Sequence, residues 1–149
     1  MTRCSGDRGQ VGGIEALPFG FFVFVSITLF LANVWGVVDA KLAVTSASRK
    51  AARAFAEAPT LADGQADAEA RAMEALTAFG RAGDRATIEA PSLAGGFARC
   101  ERVTVAVRYE VPAVRIPFIG GLGSMTTVRS TSTELIDPFR DGLDGEATC

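Results

Sequence analysis

Histidine is absent from the 149 residues of this chain. With it go the commonest general base and the commonest metal ligand at neutral pH. Ser–His and Cys–His nucleophilic pairs are therefore excluded. Charge of one sign is lacking too: 15 basic against 17 acidic residues leave a net charge of −2, which is no footprint for nucleic acid. Cysteine is scarce, with only Cys4, Cys100 and Cys149. The glycine run 120–123 lacks the Lys-Ser/Thr that completes a phosphate loop. The late acids Asp137, Asp141, Asp144 and Glu146 miss the spacing of a calcium loop. No carboxylate pair stands out as an acid/base couple. The residues thus predict no enzyme, no metal and no cofactor, and point to no small-molecule substrate.

What the chain does have is one long hydrophobic run. Between Glu15 and Asp39 lie 23 residues without a charge, more than the roughly 20 that cross ~30 Å of hydrocarbon. Phe19, Phe21, Phe22, Phe24 and Phe30 crowd its first part, and its polar residues are only Ser26, Thr28 and Asn33. Trp35 stands near the far end, where an amphipathic ring suits a membrane–water interface. The run exceeds a signal-peptide core, and no small-x-small cleavage site follows before Lys41. It predicts a single membrane-spanning helix, with Pro18 tolerated in its first turn.

Around this span the chain divides into four parts. Residues 1–13 are a polar, glycine-rich leader. Residues 14–58 are the span continued as an amphipathic stem: Val44, Ala47, Ala51, Ala54, Phe55 and Ala58 recur at helical spacing, and Arg49, Lys50, Arg53 and Glu57 lie opposite. Small residues along that ridge let another helix approach closely, so the ridge is expected to serve assembly. Pro59 closes the element. Residues 59–137 form a small α+β head. Thr60 and Asp63 read as the N-cap pair of a second helix with Ala66, Ala70, Met73 and Leu76 on its buried face; Gly80 or Gly83 ends it. Period-two patterning then predicts a weak strand at 86–89, a strong one at 103–111 and a third at 127–136 pairing antiparallel with the second, with the turn at 120–124. Pro59-Thr60 and residues 91–96 are the candidate linkers. Residues 138–149 read as a flexible acidic tail. Cys100 and Cys149 either pair in an oxidising compartment or remain free thiols; a bridge would tether that tail.

Three stretches carry a resemblance to a known family: residues 8–15 (RGQVGGIE) joined to the phenylalanine-rich span, the stem AVTSASRKAARAFAEA at 43–58, and the strand sequences at 103–119 and 130–137. Together they resemble the TadE-like minor pseudopilins of tight-adherence (Flp, type IVb) pilus systems, in an actinobacterial style. The resemblance covers most of the chain and implies a structural pilin-like subunit held in the cell membrane. Its partners would be other pilin-like subunits, the assembly platform and a prepilin peptidase. It implies cleavage after a glycine, with a glutamate at the fifth mature position. Here cleavage between Gly9 and Gln10 places Glu15 at the sixth position, and the strict register would require a cut after Gln10; the Gly9 cut is the expectation. Glu15 would then pair with the terminal amine of a neighbouring subunit during assembly. An acid this close to hydrocarbon is costly without a partner, although lipid headgroups alone could accommodate it.

The resemblance also implies a cytoplasmic N-terminus and an extracytoplasmic head. The flanking cations, Arg3 and Arg8 before the span against Lys41, Arg49, Lys50 and Arg53 after it, weakly favour the reverse. The orientation of the family is followed, because translocated domains need not obey local charge counts. The alternative to a pilin-like subunit is a single-pass anchored head that binds a ligand or partner, with the helix serving only as a tether.

Overall fold

Small side chains decide how this α+β chain folds. The computed structural model describes residues 13–81, 83–112, 115–116, 120–121, 126–146 and 148–149. Helix α1 (Gly13–Glu57) is unbroken over 45 residues. Helix α2 (Leu61–Ala78) folds back along its second half. The connection between them is tight. The Ala58 N–H donates to the Phe55 carbonyl at 3.2 Å, Pro59 follows, and the Thr60 hydroxyl caps α2 by accepting from the Asp63 N–H at 3.2 Å. At the other end of α2, Gly80 takes φ of +66°. The N–H groups of Gly80 and Arg81 donate to the Thr77 and Leu76 carbonyls at 2.8 and 2.9 Å. That pair of bonds is a Schellman cap, and glycine reaches its conformation cheaply.

The buried face of α2 differs from the expected one. Gly64, Ala68, Ala72, Ala75 and Leu76 are buried. Ala66 and Ala70 are exposed and Met73 is half-buried, so of the expected face only Leu76 is fully inside. The side is chosen by Phe55 of α1, a fully buried ring. A Cβ at position 64 would stand 3.1 Å from its Cδ2, so the large ring settles where α2 has no side chain.

The stem of α1 is likewise occupied inside the molecule. Ala43, Val44, Ala47, Ala51, Ala52 and Phe55 are completely buried against α2 and the sheet. The alanine ridge therefore packs the chain's own second helix, not a neighbour. Pro18 also departs from expectation. It lies inside the helix rather than in its first turn, and the Ile14 carbonyl loses its usual donor.

The sheet is built on β3 (Arg102–Val111), which alternates Val103, Val105, Val107, Tyr109 and Val111 inward. On one side it pairs antiparallel with β6 (Thr126–Leu135) through ten residue pairs, from Arg102 opposite Leu135 to Val111 opposite Thr126. On the other side lie two short strands in succession. β1 (Ala86–Ile88) pairs with residues 107–109, and β2 (Ser92–Leu93) pairs with residues 103–104. Residues 91–96 are thus not a linker: Ser92 and Leu93 belong to the sheet, in a strand too short to leave a periodic signal. Gly120 and Gly121 are strand as well. They form β5 (Gly120–Gly121), paired antiparallel with β4 (Arg115–Ile116); the rest of the expected turn, residues 122–124, lies outside the described residues.

The acidic tail is docked rather than loose. Cys100 and Cys149 are bonded through their sulfurs with Cα atoms 5.4 Å apart, and the Arg99 N–H donates to the Asp144 carbonyl at 2.8 Å. Arg140 donates to the Ala56 and Glu57 carbonyls at 2.6 and 2.7 Å and also to the Ala58 carbonyl. α1 has no basic residue in its last turn. A cation 83 residues beyond Glu57 supplies what the orphan carbonyls need.

Candidate functional site: the apolar half-helix and its collar

The described residue with the greatest claim to function is not one side chain but half of α1. Residues 16–38 span about 35 Å at 1.5 Å per residue, enough to cross the hydrocarbon of a bilayer. None of the most apolar window is buried by the rest of the chain. Phe19, Phe24, Phe30 and Trp35 are 71%, 69%, 66% and 74% exposed. Phe21, Phe22 and Ile27, likewise exposed, point to the remaining sides, so apolar side chains face outward all round the helix. Two of the three polar side chains in the run are turned back on the helix itself. The Thr28 hydroxyl donates to the Phe24 carbonyl and the Asn33 amide to the Leu29 carbonyl, each at 2.9 Å. Such i−4 bonds hide polar atoms from lipid at little cost. α1 is therefore one N-terminal helix long and apolar enough to span a membrane, by its length and composition.

Where this bare half meets the head, charge returns in a collar. Asp39 is the first ionisable residue after the span and pairs with Arg81, just beyond α2. Arg81 also donates to the Gly36 carbonyl at 3.3 Å, and its guanidinium carbon lies 5.5 Å from the centroid of the Tyr109 ring on β3. Only 15% of the Arg81 side chain is exposed. One cation thus ties α1, the end of α2 and the sheet together at the boundary. Across α1, the Lys41 ammonium donates to the Arg129 carbonyl of β6. A second ionic cluster stands on the outer face of the sheet. Arg108 and Arg129, directly opposite on β3 and β6, both bind the Glu89 carboxylate, Arg129 at 2.7 Å. Partial burial pushes the Glu89 carboxyl up, but the two guanidinium groups outweigh it and hold it below the usual carboxylate range.

Of the residues singled out from sequence, Gly9 and Gln10 lie outside the described residues. Glu15 belongs to the first described turns of α1, and its side chain lies outside the description. Cys100 and Cys149 sit at the far end of the head, well away from the collar. Of the expected residues, the described ones that come together are Cys100 and Cys149. The collar residues Asp39, Arg81 and Tyr109 were missed because their meeting depends on tertiary packing. The signal that pointed to them is modest: Asp39 and Lys41 end the longest uncharged stretch. Among the described residues no group of acids and cysteines could hold a metal ion. Compared with protein-family models, with curated proteins and with solved structures, the chain matches none.

Proposed function

We propose that this protein is a membrane-anchored, minor pilin-like subunit, of the TadE-like kind, in a tight-adherence type IVb pilus or related secretion machinery. The observation that carries the reading is the continuity of α1. A tether needs only a span and a flexible link. Here the same helix that is bare over residues 16–38 becomes the centre of the head from Ala40 onward, with no break. The head cannot swivel on its span. A rigid rod with an apolar half exposed on every side can exchange lipid for the helices of a bundle, and the head then arrives in a fixed orientation. The alanine ridge lends no support, since α2 and the sheet already cover it. In this reading the N-terminus is cytoplasmic, the head is extracytoplasmic, and Glu15 pairs with a neighbour's terminal amine after cleavage at Gly9. The protein has a structural role and carries out no catalysis.

The test replaces residues 16–38 with an unrelated hydrophobic helix of equal length. A pilin-like subunit remains in the membrane but drops out of the assembly, whereas a simple anchor keeps working. N-terminal sequencing of the mature protein is expected to begin at Gln10; a chain beginning at Met1 or Thr2 removes the processing step. The second reading, an anchored head that binds a partner, is favoured by one observation, a rim of the sheet that pairs with no further strand among the described residues.

A further inference from the structure

β6 forms that rim. It pairs with β3 over ten residues and with no other strand among the described residues. Its register also fixes which backbone groups are free. The Ile136 N–H donates across to the Glu101 carbonyl, so even-numbered residues of this strand face β3. The N–H and C=O groups of Thr127, Arg129, Thr131, Thr133 and Leu135 point away from the sheet. Lys41 bears this out, since it reaches the Arg129 carbonyl from outside. Lys41 fills that one acceptor, as charged side chains often do at sheet edges; the other usual devices are a proline or a bulge. Neither interrupts the ten residues of β6.

What could add to this edge is restricted by the membrane. β6 runs in the same direction as α1: Arg129 lies beside Lys41, and Arg140, just past β6, reaches Ala56 and Glu57. Antiparallel pairing with β6 of a second copy would point the two spans in opposite directions. Parallel pairing of two identical edges requires an offset of an odd number of residues, because outward-facing residues must stand opposite inward-facing ones. Such an offset cannot close on a twofold axis and allows only open, head-to-tail addition, and β6 itself offers a single acid, Glu134, to the cations beside the edge. A strand from a different protein is free of the orientation constraint and can carry more acids.

The flank of α1 beside the edge sets the chemistry of that strand. Lys41, Arg49 and Arg53 stand eight and four residues apart on exposed positions of α1. Arg53, hydrogen-bonded to Glu57, also feels the charge of Glu134 on β6, which leaves Lys41 and Arg49 as the cations without a carboxylate neighbour in an ion pair among the described residues. We infer that the free edge of β6 accepts an extended, acid-rich segment of a partner protein as an added strand, with its acidic side chains over Lys41 and Arg49. Backbone bonds supply the affinity and the alternate acidic row supplies the selectivity. The other row continues the outer face set by Thr127, Thr131 and Thr133. The inference goes beyond the pilin-like reading and does not require the span to enter a bundle.

The test uses the full chain in lipid nanodiscs and a capped decapeptide alternating threonine and glutamate. Saturable binding is expected, at least about tenfold tighter than for the threonine–lysine counterpart. Amide exchange at Arg129, Thr131 and Thr133 should slow on binding. The Thr131→Pro variant removes an outward N–H and no bond to β3, so it should keep its melting transition and lose binding by about tenfold or more. The Lys41→Glu, Arg49→Glu double variant should prefer the lysine peptide, which keeps the test decisive should the proline variant fail to fold. Absence of binding overturns the inference. So does binding that leaves the outward amides unchanged, or undiminished binding by folded Thr131→Pro.

Discussion

Replacing Ala72 by leucine while leaving its near neighbour Ala70 alone, and then the reverse, separates the two faces that compete on α2. Ala72 is completely buried and stands on the side that meets α1; Ala70 is exposed. Leucine adds three carbons. At Ala72 they enter a core cluster it shares with Ala47 and Ala51 of α1, both at zero exposure, so the helices must separate or the new side chain must leave its rotamer. Overpacking of this kind costs about 1–3 kcal/mol. For a head of this size, about 2 kcal/mol lowers the melting midpoint by roughly 8–16 °C. At Ala70 the leucine projects into water and keeps nearly the helix propensity of alanine, so the change stays within about 0.5 kcal/mol. The assay is thermal unfolding of the full chain in detergent followed by circular dichroism, in which the span stays helical while the head melts. Equal losses at the two positions, or a larger loss at Ala70, would show that the helices do not meet on this face. Normal melting of Ala72→Leu together with failed assembly would return the ridge to an intermolecular role.

Four further outcomes follow from the same packing. Reducing the Cys100–Cys149 bridge, which joins residues 49 apart, lowers stability by about 4 kcal/mol on chain-entropy grounds; an unchanged denaturant midpoint after reduction contradicts the docked tail. Arg140→Met strips the end of α1 of its remote cap and costs about 1–2 kcal/mol in the same unfolding assay; no cost means the tail leaves the helix end free in solution. Arg81→Met removes the ion pair to Asp39 and the contact over Tyr109 and destabilises the head by about 1–3 kcal/mol, part of which Asp39→Asn restores in the double variant; simple additivity argues against the collar. Glu89 is held below its ordinary pKa, so its contribution is present above about pH 4.3 and is lost as pH falls through the lower folded value. Glu89→Gln is therefore expected to flatten the acid limb of a plot of melting temperature against pH, and an unaltered limb shows the cluster to be idle.

The span, the helix ends and the two long strands were legible because each leaves a local mark. An uncharged run of 23 residues, a proline after Ala58, a Thr60–Asp63 cap and the alternation of valines on β3 need no knowledge of the rest of the chain. The face of α2 left no such mark. With Ala62, Gly64, Ala66, Ala68, Ala70, Ala72 and Ala75 spread around the helix, small residues occur on every side and the apolar period is undetermined. The choice is made by Phe55, which needs Gly64 opposite it, and that is a tertiary requirement. The tail misled for a similar reason. Its acids read as solvated, while the residue that docks it is Arg140, whose partners are carbonyls at the end of a helix that no linear spacing connects to it. The short strands β2, β4 and β5 are two residues each, below the length at which alternation can be seen.

The burial of the stem changes what the functional argument can rest on. Had the ridge from Ala43 to Ala58 remained open, it would itself have been the surface for a neighbouring helix. With the ridge covered, the described apolar surface available to helical neighbours is concentrated in residues 16–38, together with Leu42 just beyond the collar. A bundle would therefore form mainly at the depth of the span, while contacts between heads would draw on the outer face of the sheet, the edge of β6 and the exposed Phe139. The collar fits that division. Arg81 fixes the sheet and α2 to α1 within a turn of the last uncharged residue, Val38, through Gly36 and Asp39. Rotation of the span about its own axis is then passed directly to the head. A span that packs in one register presents the β6 edge in one direction, whereas breaking the collar should leave membrane insertion intact and blur the orientation of the head. Spin labels on an exposed head position such as Ala70 measure this, because the distance distribution between neighbouring copies broadens in Arg81→Met and stays narrow in the wild type. Equal widths in the two proteins would show that the continuity of α1 alone sets the angle and that the collar adds nothing.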